Sequence, residues 1–219
     1  MEMNKENYYT SENASQKTLE WKNYCDEIKQ HKPFKFSPNN AALLIIDMQN
    51  VFLDPDSHAF IPSSPQVLLN IQLLLEKFSE NGLPIVFTRH ITDVSPSNIM
   101  NKWWNDPIKI EEKKSEITVD LDTSKGIIMQ KHQYSGFRNT DLDQMLQEKG
   151  ITKLVITGVL THLCCETTVR DAFMRGYEVF YPFDASASYN EALHLGSIQS
   201  IAHGFGVCVS TKSVLNDLK

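Results

Sequence analysis

Three residues of this chain have the types and settings for covalent chemistry: Asp47, Lys131 and Cys164. Asp47 follows the apolar run 41–46, Lys131 follows 127–130, and Cys164 follows 153–157 by way of Gly158-Val159-Leu160-Thr161-His162-Leu163. Singly, each has a plainer role: an Asp after a strand caps a turn or helix, a Lys there is a solvated charge, and a Cys in an apolar helix fills the core. The combination says more. A thiol near a helix start feels the positive end of the helix dipole, which favours thiolate. A nearby lysine favours it further, and a carboxylate takes or returns the proton. Acid, amine and thiol on one rim would be a proton carrier, an activator and a nucleophile.

Such residues act only if the fold brings them to one rim. The run 41–46, Ala-Ala-Leu-Leu-Ile-Ile, reads as a strand covered on both faces. Further strands are expected at 84–88, 127–130, 153–157, 178–181 and 207–210. Helices are expected at 67–78, ending at Asn81-Gly82, and at 140–148, 161–174, 190–203 and 213–218. Residues 92–124 read as an irregular polar excursion carrying Trp103 and Trp104. Strands alternating with helices mean parallel units with right-handed crossovers. The expected fold is therefore a three-layer α-β-α domain on a doubly wound, mainly parallel, six-stranded sheet. Ligands gather at the carboxyl ends of such strands, where the strand order reverses.

The domain is expected to span 41–219, preceded by an arm at 1–40 with a possible helix at 17–30. Leu19, Trp21, Tyr24 and Ile28 give that helix a loose apolar stripe, so the arm packs on the domain or on a neighbouring subunit. Composition narrows the function classes. The chain has 219 residues, 41% hydrophobic, with only nine Gly and nine Pro, which suits one globular domain. A net charge of −6 without a basic block argues against nucleic acid as partner. The longest apolar run is far short of the ~20 residues that cross a bilayer, and the first thirty residues hold no apolar signal core. Cys25, Cys164, Cys165 and Cys208 show neither a disulfide framework nor zinc spacing, which points to a reducing cytoplasm.

Three ordered motifs resemble the isochorismatase-like, or cysteine, hydrolases. They are Asp47-Met48-Gln49-Asn50-Val51-Phe52, Lys131 with Tyr134-Ser135-Gly136-Phe137, and the segment 158–172, with Cys164 at the nucleophile position. The resemblance covers about 41–215 and implies the same doubly wound fold. It implies that Cys164 attacks a carbonyl carbon to form a thioester, Asp47 serves as base and then acid, and Lys131 holds both in place and favours their ionised forms. It further implies an oxyanion hole from the backbone N–H groups of Leu160 and Cys164, and a cis Val159–Leu160 peptide. Register with the family selects Cys164 over Cys165, which reads as core packing, as do Cys25 and Cys208.

The segment after the second strand reads Thr88-Arg89-His90-Ile91-Thr92-Asp93 and lacks the D-x-H metal signature of nicotinamidase-type members. No catalytic metal and no cofactor are expected, and His90 reads as a surface or hydrogen-bonded structural histidine, with substrate binding as the alternative. The alternative chemistry is that of true isochorismatases, in which Asp47 acts as acid on a vinyl ether. A non-catalytic assembly domain is the third reading. Having Cys164 favours cleavage of an amide-type C–N bond in a small molecule. Candidates for the substrate wall are Phe52, Tyr134 and Phe137, with Trp103 and Trp104 as a lid or a subunit contact. Arg89 and Arg138 would meet an anionic group or form surface salt bridges, and Asp171 would be structural. A homodimer or homotetramer is expected.

Overall fold

The structure, a computed structural model, describes residues 4–28, 30, 32–93, 95, 98–104 and 106–218. Its centre is β1 (Ala41–Ile46), with every side chain out of solvent, as a run of six apolar residues requires when both faces are covered. Around it stand β2 (Ile85–His90), β3 (Ile127–Lys131), β4 (Lys153–Val159), β5 (Glu178–Pro182), β6 (Ser186–Ala187) and β7 (Val207–Val209). The strand order is β3-β2-β1-β4-β5-β7, and these pairings are all parallel. β6 adds a seventh strand to the six expected. It pairs with β4, Gly158 opposite Ser186, beyond the point where β5 stops. Two residues after a 3-10 turn carry no periodicity, so the sequence pattern could not show it.

The order runs one way from β1 to β3 and the other way from β4 to β7, so right-handed crossovers place helices on opposite faces. On one side α3 (Ser64–Glu80) packs across β1, β2 and β4, with α8 (Thr211–Asp217) beside it. Its buried residues Val67, Ile71, Leu74, Leu75 and Phe78 recur at helical spacing. On the other, α6 (Glu166–Met174) and α7 (Glu191–Gly204) pack together against β5 and β7. The layer is completed by α5 (Leu142–Glu148) in the connection from β3 to β4. The excursion 92–124 holds the short helix α4 (Ile99–Trp103), whose first turn is capped by the Asn98 side chain accepting from Met100 N–H. Another short helix, α2 (Asn50–Leu53), lies within the first motif.

The arm begins its helix earlier than its pattern suggests, with α1 at Ala14–Glu27. Trp21 and Cys25, one turn apart, are the residues it buries, while Leu19 is exposed. α1 lies along α7, where Trp21 Nε1 donates to Glu191 Oε1 at 2.9 Å and Lys17 pairs with the same carboxylate at 3.0 Å. Among the described residues no helix is long and apolar enough to cross a membrane.

Candidate active site

At the reversal point β1 and β4 are adjacent, and Ile46 is in register with Gly158. The backbone there is crowded. A Cβ on Gly158 would lie 2.0 Å from the Ile46 carbonyl oxygen, and Gly158 has φ of 110°, so no other residue fits. Asp47 follows with φ of 49°, a left-handed conformation open to Asp more than to most residues. The turn aims its carboxylate under the strand ends. Thr88 on β2 locks it there, donating its hydroxyl to Asp47 Oδ1 at 2.6 Å and accepting Asp47 N–H at 3.1 Å.

Lys131 closes β3, two strands away, in register with His90. Its Nζ lies 2.7 Å from Asp47 Oδ2, 2.9 Å from the Gln133 carbonyl and 3.4 Å from Cys164 Sγ. Asp47 and Lys131 are wholly buried and Cys164 is 6% exposed. The thiol sits on Thr161–Cys165, a π-helical turn that leads into α6 and follows a cis Val159–Leu160 peptide. Cys165 N–H reaches back to the Leu160 carbonyl, and its own sulfur points to Thr157 O, 3.9 Å away in the core.

The remaining motif residues hold these groups in place. Gln49 donates to the carbonyls of His90 and Ser115 and accepts His90 N–H at 2.8 Å, joining the end of β2 to the excursion. Thr168 Oγ1 donates to the Cys164 carbonyl at 2.7 Å and accepts Gly136 N–H at 3.0 Å, tying the second motif to the third. Ser135 donates to Asp171, which also pairs with Arg175. Asp171 thus acts as a strut.

Cys164 forms part of the wall of a cavity of about 270 Å³. Phe52, Trp104 and Tyr134 line it too, and Trp104 Nε1 donates to the Tyr134 hydroxyl at 2.8 Å. Trp103 and Phe137 stand elsewhere. Trp103, on the outer side of α4, is 73% exposed. Phe137 stacks on Tyr177 with Arg175 over its ring. Arg89 turns away from the cavity to the carbonyls of Ser115 and Ile110, and Arg138 does not line it. His90, read from sequence as a surface or structural group, is buried and lines the cavity. The other walls include Leu163 of the third motif and His58, Met100, Ile108 and Tyr189, which lie outside the three motifs.

The protonation pattern departs from the expectation of a thiolate. Burial pushes the Cys164 thiol well above its ordinary value, and the adjacent Asp47 carboxylate adds to this against the opposing pull of Lys131. For Lys131, burial favours the neutral amine, yet Asp47 and Cys164 outweigh it and raise the ammonium above its usual range. Burial, helped by Lys131, lowers His90 to about 4, so its ring is neutral at physiological pH. Among the described residues no group of three His, Cys, Asp or Glu is placed to hold a metal ion.

The isochorismatase domain family matches residues 41–213. Nicotinamidase 3 of Arabidopsis thaliana is 32% identical over 198 residues, covering 87% of this chain and 96% of that protein. Enterobactin synthase component B of Escherichia coli is 33% identical over 196 residues, covering 86% and 67% respectively. The crystal structure of a cysteine hydrolase from Pseudomonas syringae pv. phaseolicola superposes with a TM-score of 0.80 at 27% identity, covering 86% of this chain and 96% of the other. The chain belongs to the isochorismatase family and is a hydrolase of the isochorismatase-like class.

Proposed function

We propose that this hydrolase cleaves an amide-type C–N bond of a small molecule through a thioester on Cys164. The observation that carries this reading is the position of Lys131 Nζ, 2.7 Å from Asp47 Oδ2 and 3.4 Å from Cys164 Sγ, beside a cavity that the sulfur lines. Attack is coupled to proton transfer: Asp47 takes the thiol proton as Sγ bonds to the carbonyl carbon. The oxyanion is received by the N–H groups of Leu160 and Cys164, each worth ~3 kcal/mol in such a role. Asp47 then protonates the departing amine, leaving the thioester. Water, deprotonated by Asp47, hydrolyses it to the acid and restores the thiol. Lys131 holds both groups in place through its contacts with Asp47 Oδ2 and Cys164 Sγ.

The cavity lining supports a substrate with an apolar body, given by Val51, Phe52, Met100, Ile108 and Tyr189, with the ionisable His58, His90 and Asp106 also in its wall. The same reading places the enzyme in the cytoplasm as a homodimer or homotetramer.

A panel of small carboxamides and ureido acids, followed by ammonia release and quenched intact-protein mass spectrometry, tests the route. The expected result is an acyl adduct on Cys164 that forms and decays with turnover. Turnover with sulfur never acylated, under single-turnover sampling, would overturn it.

A further inference from the structure

Residues 4–9 precede the span that the isochorismatase domain matches, yet they touch the walls of the cavity. Lys5 Nζ donates to the His58 carbonyl and lies 5.0 Å from the centre of the Tyr189 ring. His58 and Tyr189 both line the cavity, one from the loop after α2, the other from the loop before α7. Glu6 N–H donates to the Tyr189 carbonyl at 2.8 Å, and the Asn190 side chain donates to the Asn4 carbonyl at 3.1 Å. On the opposite side, the N–H groups of Tyr8 and Tyr9 both donate to the buried Ser63 hydroxyl at 3.1 Å. The segment therefore straps together two loops that share no strand pairing.

Two further chains of contact run from this strap to the turn that carries Cys164. The Tyr8 hydroxyl accepts Ser188 N–H at 2.8 Å, and the Ser188 hydroxyl bonds His162 Nδ1, two residues before the thiol. The rings of Tyr8 and Trp21 pack on His194 at 5.6 and 4.7 Å, and His194 Nδ1 bonds Thr161 Oγ1 at 3.0 Å. We propose that residues 5–9 are specificity-determining positioning residues, which hold the His58 and Tyr189 walls and the Cys164 turn at a separation that admits small substrates and excludes bulky ones. The proposal rests on Cys164 as the reacting group, and its test reads access to that sulfur independently of turnover.

Two uncharged thiol reagents, iodoacetamide and N-phenylmaleimide, serve as small and bulky probes. Site-resolved mass spectrometry gives the Cys164 rate for each, normalised to its rate with glutathione. The proteins compared are the full chain, the chain lacking residues 1–9, and the double variant Lys5→Ala/Tyr8→Phe, which keeps the Tyr8 ring in its packing. The expected result is a bulky-to-small ratio that rises about tenfold in both variants, on the scale of size discrimination by a fitted pocket, with the iodoacetamide rate nearly unchanged. In the double variant, a ratio equal to that of the full chain, a parallel rise of both rates, or no modification of Cys164 by either probe would overturn the proposal. A shifted ratio in a chain that cleaves no amide would instead count against the proposed reaction and leave the strap standing.

Discussion

Lys131 meets three acceptors with its ammonium, Asp47 Oδ2, the Gln133 carbonyl and Cys164 Sγ, and has no contact with water. A buried charge so placed is costly to leave unpaired. Lys131→Met should therefore destabilise the fold by about 3–5 kcal/mol, because the Asp47 carboxylate stays behind without its cation. Adding Asp47→Asn should recover much of that stability in urea denaturation and none of the activity. A single variant as stable as the parent would contradict the ion pair's placement. The raised Lys131 value sets the sign with pH: its stabilisation is complete below the ordinary 10.5 and is lost only as pH climbs through the higher folded value. Asp47, Lys131 and Cys164 were legible in sequence as a candidate set because each lies at or just past a strand end inside a motif. Their burial was not, since it comes from the packing of segments far apart in the chain. Trp103 and Trp104 read alike as a pair, but Trp103 ends α4 while Trp104 follows it in extended backbone, and of the two Trp104 reaches the cavity.

Strand ends and turns position those groups, and here single atoms decide. Gly158→Ala would drive a methyl into the Ile46 carbonyl and part β1 from β4 where the site lies. The expected cost exceeds ~4 kcal/mol, in the range reserved for backbone clashes and strained φ, and should appear as loss of soluble, cooperatively melting protein. Normal melting of this variant would show the strands are not so close. After β5, Asp184 is buried, and its Oδ1 accepts both the N–H and the hydroxyl of Thr211 at 2.7 Å, joining that strand end to the start of α8. Burial raises its carboxyl from 3.8 to about 6 against these hydrogen bonds. The folded state thus holds the proton more tightly. Its contribution is complete below about pH 4 and is lost by pH 6, a swing of about 3 kcal/mol. Denaturation midpoints of the parent and Asp184→Asn, compared at pH 4 and 7, should diverge by that order, and parallel curves would refute the burial. Among the elements, six strands were readable from largely apolar segments of four to six residues. The two-residue β6, the four-residue α2 and the π-helical turn were not, because each is imposed by neighbours rather than by its own periodicity.

For the molecule as a whole, the doubly wound order does what local pattern cannot: it brings residues 47, 131 and 164 to one edge of the sheet. The alternation of strands and helices foretold that edge. The rest of the cavity came from afar, with His58, Ile108 and Tyr189 drawn from loops and Met100 from α4. The aromatic density of the arm signalled that it packs, but its docking place on Ser63, Ser188 and His194 depends on surfaces built by later residues. The proposed chemistry makes the sulfur and the carboxylate equally necessary. Hydrolysis of small carboxamides, ureido acids and isochorismate by Cys164→Ala and by Asp47→Ala, each checked for parental folding, tests this most directly. Loss of amide cleavage in both variants, by ~10³-fold or more, is the predicted result. Full activity in Cys164→Ala with none in Asp47→Ala would contradict it and leave the carboxylate acting alone as an acid.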